Sequence, residues 1–135
     1  MKQEKSIITL LRHGEPQGGA VFRGRQDDAL TQKGWQQMHN AIDQLDCINS
    51  IDTIFTSPLQ RCFAFAEKIA AQYSLPLEEV NALQEINFGQ WEGQSIEQVV
   101  AHNKNKLSRF WENPIENTPP DGEPVSTFQE RVITF

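Results

Sequence analysis

Apolar and polar positions follow one another in short blocks along the chain, and these blocks predict strands alternating with helices. Residues 7–11 form an apolar run between charged residues, which we expect to be a buried central strand of a parallel sheet. Residues 51–55 are predicted as a second strand and residues 77–80 as a weaker third one. This order is typical of α/β domains with a mostly parallel sheet.

Four helices are predicted from apolar positions that recur every three or four residues. The first begins after Thr31, which can cap it, and the second covers residues 58–73. A third is expected near residues 96–102, and a fourth is expected to be capped by Ser126 or Thr127. The side chains predicted to face inward are Trp35, Met38, Ile42 and Leu45 in the first helix, Leu59, Cys62, Phe63, Ala66, Ile69, Ala70 and Tyr73 in the second, and Ile96, Val99 and Val100 in the third.

The end of the chain interrupts the pattern of the last predicted helix. This helix carries apolar Phe128, Val132, Ile133 and Phe135, and no Gly or Pro marks its end. A chain of 135 residues is long enough for one domain and too short for two. We therefore expect a single domain over residues 1–135 whose C-terminal part is missing from a longer natural protein.

Composition narrows the function classes. The chain has 12 basic and 18 acidic residues, a net charge of -6, which disfavours nucleic acid and anionic membranes as partners. No apolar stretch has the length of a membrane span or a signal peptide, so we expect a cytoplasmic protein. Cys47 and Cys62 lack metal-ligand spacing, and we expect both to be reduced and buried.

The first candidate for chemistry lies where the first predicted strand ends. His13 follows Arg12 and precedes Gly14, which leaves room for an anion to approach the backbone. A neighbouring cation favours the neutral imidazole, whose nitrogen is a competent nucleophile. The alternative is that His13 is an ordinary polar loop residue, because short motifs have many false positives.

The second candidate lies at the end of the next predicted strand. Arg61 stands in the first turn of the second predicted helix, after Ser57 and Pro58. Because the carboxyl ends of parallel strands meet at one edge of a sheet, Arg61 can share a pocket with Arg12 and His13. Two guanidinium groups and a helix N-terminus suit a phosphate group. The alternative for Arg61 is a solvated position on the helix surface.

A third segment, residues 83–93, contributes carboxylates among aromatic residues and glycines. Desolvation beside Phe88, together with a nearby phosphate, favours the protonated form of the Glu85 carboxyl group, which suits a general acid. The alternative is a structural ion pair with Arg61 or Arg12. We favour that alternative for Glu92 and not for Glu85.

Together these motifs resemble the histidine phosphatase superfamily, also called phosphoglycerate-mutase-like. The resemblance covers residues 10–93, and Gly122-Glu123 also matches a family turn, except that Pro124 replaces its serine. It implies a three-layer α/β sandwich with a mostly parallel central sheet flanked by helices. The matching motifs are R-H-G-E at 12–15, D-x-x-L-T-x-x-G at 27–34, S-P-L-x-R at 57–61 and E-x-x-F-G-x-W-E-G at 85–93.

The resemblance also implies a role for each matching residue. His13 is the nucleophile that forms a phosphohistidine, Arg12 and Arg61 bind the phosphoryl oxygens, and Glu85 donates a proton and then activates water. The substrate is a small phosphate ester, and no metal or cofactor is expected because guanidinium groups neutralise the phosphate charge. The residues in the position of the family's substrate-contact loop are Gln17, Arg23 and Gly24.

Within the family the sequence is most similar to α-ribazole phosphatases of cobalamin nucleotide-loop assembly, through residues 18–24, 34–38 and 61–66. Two alternatives use the same chemistry, a sugar-phosphate phosphatase and a cofactor-dependent phosphoglycerate mutase. The short stretch between Gly93 and Gly122 favours hydrolysis, because mutases need a longer segment over the site. A third alternative is a non-catalytic fragment that binds a phospholigand or a partner.

The family pattern includes a second histidine at another strand end. His39 and His102 do not follow predicted strands, so neither fits that position, and we expect both at the surface. We therefore expect weak activity at best from a polypeptide that ends at Phe135.

Overall fold

The computed structural model describes residues 5–135 and has the predicted α/β organisation. Single turns of 3-10 helix lie at Ile48–Ser50, Asn81–Leu83 and Gly89–Trp91. The helices and strands are, in chain order, α1 (Gln32–Asp43), β1 (Ile54–Thr56), α2 (Gln60–Tyr73), β2 (Leu77–Glu79), α3 (Ile96–Glu112) and α4 (Val125–Ile133).

The two strands form a parallel pair, as the sequence predicts. Ile54 lies opposite Leu77 and Thr56 opposite Glu79, and α2 connects the strands. The amide of Ile54 donates to the carbonyl of Pro76 over 2.9 Å. The carboxyl end of β1 thus leads directly into the first turn of α2, which carries Arg61.

The prediction of a buried strand at residues 7–11 is wrong. In the structure these residues have no regular secondary structure, and Ile7 and Leu10 are 88% and 90% exposed. A strand forms only when a neighbour pairs with its backbone, and within residues 5–135 no other strand pairs with this segment. The apolar pattern of residues 7–11 indicates a preference for burial, but it does not show which strand would pair with them.

α1 and α2 pack together over the main core. The Thr31 hydroxyl caps α1 by accepting from the amide of Gly34, as predicted. The inward face of α2 differs from the prediction, because Phe65 is almost fully buried while Phe63 is half-buried. The buried side chains of this core are Leu30, Met38, Ile42, Phe65 and Ile69.

α3 is longer than predicted and contains a kink. A capping box of Ser95 and Gln98 fixes its start, and Asn103 breaks the helical backbone in its middle. Its buried residues are Val99 and Leu107, whereas the predicted inward residues Ile96 and Val100 are exposed. Val99 and Leu107 pack with the fully buried Trp91 in a second core.

α4 begins at Val125, two or three residues earlier than a cap at Ser126 or Thr127 would place its start. Pro124, with φ at -60°, is the capping residue, and its carbonyl accepts from the amide of Phe128. The expectation of a cap at Ser126 or Thr127 is therefore wrong, because the fixed φ of proline already suits a helix start and both residues fall in the first turn. None of the helices in the described part of the chain combines the length and apolar character needed to cross a bilayer.

A close backbone contact holds the segment after residue 11 against α1. A Cβ atom on Gly34 would overlap the carbonyl oxygen of Glu15, and one on Gly14 would overlap the carbonyl oxygen of Gly34. We expect Gly34→Ala to lower the free energy of unfolding by about 1–3 kcal/mol, because neither backbone can yield freely. Urea unfolding tests this, with the exposed neighbour Lys33→Ala as control. Equal midpoints for both variants would show that the contact relaxes at no cost.

Candidate active site

His13 lies just beyond residues 7–11 and is half-buried. Its ring Nδ1 is 2.8 Å from the carbonyl oxygen of Gly14. Because a carbonyl oxygen can only accept a hydrogen bond, Nδ1 carries the proton. In the neutral tautomer that fits this contact, the lone pair lies on Nε2, the nitrogen that is left to attack an electrophile.

An open depression lies beside His13. Arg12 and His13 both line it, and Arg12 is exposed. Arg61 and Glu85 are not among the residues that line it. Its walls are formed by Arg12, His13, Gly14, Glu15 and Pro16 on one side and by Gln37, Met38 and Ala41 of α1 on the other.

Glu15 attaches this first motif to the start of α1. Its carbonyl accepts from the amide of Thr31 over 2.9 Å, and its carboxylate accepts from the Thr31 hydroxyl over 3.0 Å. Its own amide donates to the Gln37 side chain over 2.8 Å. The R-H-G-E and L-T-x-x-G motifs are therefore parts of one hydrogen-bonded unit that holds the backbone beside His13.

Arg61 is buried, with 2% of its surface exposed. Its two terminal nitrogens donate to the carbonyls of Gly24 and Gln26 over 2.7 and 2.8 Å. Its Nε is buried and has no hydrogen-bond partner within residues 5–135. The alternative of a solvated helix residue is therefore wrong, since this guanidinium group holds the 24–26 loop against α2.

Asp27 fixes the same loop to the start of α2. Its carboxylate accepts from the amide of Gln60 over 2.6 Å, and the Gln60 side chain donates to the Asp27 carbonyl over 2.6 Å. One of the orphan amides at the helix N-terminus is satisfied in this way. The sequence motif around Asp27 is thereby joined to the S-P-L-x-R motif.

Arg23 folds inward over its own loop. Its Nε donates to Asp28 over 2.7 Å, and one terminal nitrogen donates to the carbonyls of Gln17 and Gly19. The neighbouring Gly24 has φ at +54°, and a Cβ atom there would overlap the Glu92 carboxylate. Arg23 and Gly24 shape this loop, and contact of substrate with Gln17, Arg23 and Gly24 stays a prediction.

The carboxylates of residues 83–93 differ from the expectation. Glu85 is exposed, and its carboxylate accepts from the amide of Ile86 over 2.9 Å. The expected desolvation by aromatic neighbours is therefore wrong, because Phe88 and Trp91 turn into the second core instead. Glu92 is structural, as expected, but its partners are the amides of Arg25 and Phe88 and not Arg12 or Arg61.

Cys62 lies between the charged groups at the start of α2. Burial raises the pKa of its thiol, while the charge of Arg61 lowers this pKa and the charges of Glu85 and Asp27 raise it. The charges of Arg61, Glu85 and Asp27 therefore all act on the Cys62 thiol. Cys47 and Cys62 are both free and half-buried, so the expectation of full burial is wrong for both.

One buried ion pair was not predicted from the sequence. The Arg131 guanidinium group donates to both oxygens of Glu123, over 2.7 and 3.0 Å. This hydrogen bonding lowers the pKa of Glu123, against the opposing effect of its burial. The sequence offered no direct signal for this pair, because Glu123 needs a cation only through its burial, which depends on the fold.

The other two histidines lie away from the depression. His39 is half-buried in α1, where its ring contacts Trp35 and Phe65 with centroids 6.2 and 5.0 Å away. The expectation of a surface position is therefore wrong for His39. It is correct for His102, which is exposed on α3.

Comparison with known proteins matches residues 8–135 to the Histidine phosphatase superfamily (branch 1). The adenosylcobalamin/alpha-ribazole phosphatase of Escherichia coli is 30% identical over 133 residues, which are 95% of this chain and 64% of that protein. A putative phosphoserine phosphatase of Hydrogenobacter thermophilus is 27% identical over 130 residues, again 95% of this chain and 64% of that protein.

A solved structure has a similar fold. It is described as a putative alpha-ribazole-5'-P phosphatase from Escherichia coli, with a TM-score of 0.81 and 27% identity over 93% of this chain and 62% of that one. The chain thus spans less than two thirds of the length of these proteins. It spans 35% of a Mycobacterium tuberculosis protein described as bifunctional, to which it is 32% identical.

Proposed function

The chain belongs to the histidine phosphatase superfamily, and on this basis we propose that it hydrolyses phosphate monoesters through a phosphohistidine formed at His13. The observation that carries the proposal is the hydrogen bond from His13 Nδ1 to the Gly14 carbonyl. It commits one ring nitrogen to the backbone and leaves the other with the lone pair that attacks phosphorus.

The reaction has two steps. In the first, Nε2 of His13 attacks the phosphorus atom, the N–P bond forms, and the bond from phosphorus to the ester oxygen breaks as Glu85 gives its proton to the leaving alkoxide. In the second, the Glu85 carboxylate takes a proton from water, the resulting hydroxide attacks phosphorus, and the N–P bond breaks. Inorganic phosphate leaves, and both side chains return to their first states.

Two arginines provide the positive charge that the phosphoryl group needs. Arg12 lines the depression beside His13, and the buried Nε of Arg61 is a donor that a phosphoryl oxygen would satisfy. A guanidinium group already fixed by two carbonyls is preorganised, so little reorganisation is needed when charge develops. These observations support Arg12 as an anion-binding group beside His13, with Arg61, which does not line the depression, as a proposed second donor.

We propose α-ribazole 5'-phosphate as the substrate, in cobalamin nucleotide-loop assembly. The relative and the solved structure named above that carry this activity in their descriptions support this choice. Sugar-phosphate hydrolysis and phosphoglycerate isomerisation are the alternatives. Residues 94–121 are taken up by α3 and a short connection at 113–121, so a long segment over the site is absent from this stretch, which favours hydrolysis.

A comparison of substrates tests the choice. We expect kcat/KM for α-ribazole 5'-phosphate to exceed that for glucose 6-phosphate and O-phosphoserine by at least about tenfold, which corresponds to about 1.4 kcal/mol of transition-state discrimination. Release of phosphate is measured for each ester, and 3-phosphoglycerate is examined for conversion to its isomer.

Three other outcomes would each count against this proposal. Equal values for all esters would contradict the substrate assignment, and isomerisation without phosphate release would favour the mutase alternative. Phosphate binding without turnover of any ester would favour the non-catalytic alternative.

A further inference from the structure

We propose that the buried Glu123–Arg131 ion pair is a positioning device for Glu85, which makes Arg131 a residue that acts on proton transfer without touching the substrate. The proposal rests on the phosphatase function proposed above, because the orientation of a proton donor matters only in such a reaction. It is carried by the hydrogen bonds that this ion pair makes around Glu85.

The ion pair has the geometry of a rigid unit. Glu123 is 9% exposed, and the planar guanidinium group of Arg131 meets both of its carboxylate oxygens. A second cation, Arg25, lies 3.6 Å from the same carboxylate. A buried pair of this kind is weak evidence for added stability, and its better-attested use is to specify one arrangement of the chain.

The unit is bonded to the backbone on both sides of Glu85. Arg131 donates to the carbonyls of Ala82 and of Glu85 itself, the latter over 3.2 Å. Glu123 accepts from the amide of Asn87 over 3.2 Å, and its own amide donates to the Asn87 carbonyl over 2.8 Å. The segment that carries the proton donor is therefore held at three residues, at Ala82 and Glu85 by Arg131 of α4 and at Asn87 by Glu123.

Glu85 itself lacks such support at its side chain. It is exposed, and the hydrogen bond that its carboxylate accepts comes from the next residue, Ile86. Within residues 5–135 no other hydrogen bond fixes the direction of this carboxylate, so the position of its backbone sets where the carboxyl group lies. Loss of the ion pair would displace the proton donor while leaving His13 in place, because Gly14 and Glu15, which follow it, are held against α1.

The test compares leaving groups. In Arg131→Met we expect kcat for an alkyl phosphate to fall by roughly 100-fold, the effect of a small misplacement of a catalytic group. For p-nitrophenyl phosphate, whose leaving group needs no proton, we expect a fall of less than about threefold. KM should stay unchanged for both, and Arg131→Lys should restore part of the loss. Arg109→Met, an exposed arginine at the end of α3, is the matched control.

A second measurement needs no turnover. The amides of Ile86 and Asn87 belong to the segment that the Glu123–Arg131 ion pair holds. Their hydrogen exchange should therefore accelerate at least about tenfold in Arg131→Met and stay unchanged in Arg109→Met.

The outcomes separate the two proposals. Equal rate losses for both leaving groups, or unchanged exchange at these amides, would overturn the positioning role even if His13 proves to be the nucleophile. Failure of the phosphatase function would show as no phosphate release from the unmodified chain, or as equal release from the unmodified chain and from His13→Ala.

Discussion

His13→Ala should lower kcat/KM for phosphate monoesters by at least about 1000-fold, the largest effect that we expect from any single substitution. The reason is that no other described side chain beside the depression offers a neutral nitrogen with a free lone pair. The variant should fold, since it loses one hydrogen bond worth about 1 kcal/mol. The measurement is steady-state phosphate release from p-nitrophenyl phosphate.

The chain provides matched controls for this substitution. His102→Ala removes an exposed imidazole from α3 and should leave kcat/KM within about twofold. His39→Ala should reduce stability through its lost contacts with Trp35 and Phe65, with little change in kcat/KM for the folded fraction. A His13→Ala variant that is as active as the His102→Ala control would remove His13 from the reaction.

Arg61→Met should have the second largest effect, on both activity and stability. The buried guanidinium group satisfies the carbonyls of Gly24 and Gln26, and leaving each unpaired should cost about 1–3 kcal/mol. Loss of a preorganised cation from the anion site should lower kcat/KM by about 100- to 1000-fold. Urea unfolding and phosphate release measure the two effects separately.

The two effects of Arg61 distinguish a structural from a catalytic role. Arg61→Lys keeps the charge and cannot reach both carbonyls, so we expect it to regain part of the activity and little of the stability. A fall in stability with kcat/KM within about twofold of the unmodified chain would mean that Arg61 serves only to hold the 24–26 loop.

The sequence predicted those elements whose signals are local. Thr31 caps α1 because its hydroxyl meets an amide three residues later, and a three-residue spacing is visible in any sequence. The pairing of β1 with β2 followed from two apolar runs joined by one amphipathic helix. The cap is carried by residues close in the sequence, and the strand pairing follows from the strand–helix–strand order, which the sequence also shows.

The errors concern interactions between distant residues. Whether Ile7 and Leu10 are buried depends on strands that pair with them, and the direction of Glu85 depends on which neighbours enter the second core. Arg131 lies in α4 and Glu123 just before it, so the periodicity of the helix does not predict that they meet. The candidate site residues were predicted from the sequence motifs. That Arg61 meets Arg12 and His13 around one bound anion stays a prediction.

The most direct test of the account is to look for the covalent intermediate. The chain is mixed with p-nitrophenyl phosphate, quenched in alkali and analysed by intact-mass spectrometry and peptide mapping. The account predicts a mass gain of one phosphoryl group, located on His13, that is stable in alkali, is lost in acid and is absent from His13→Ala. An acid-stable adduct on another residue, or phosphate release from a chain that never carries the group on His13, would contradict it.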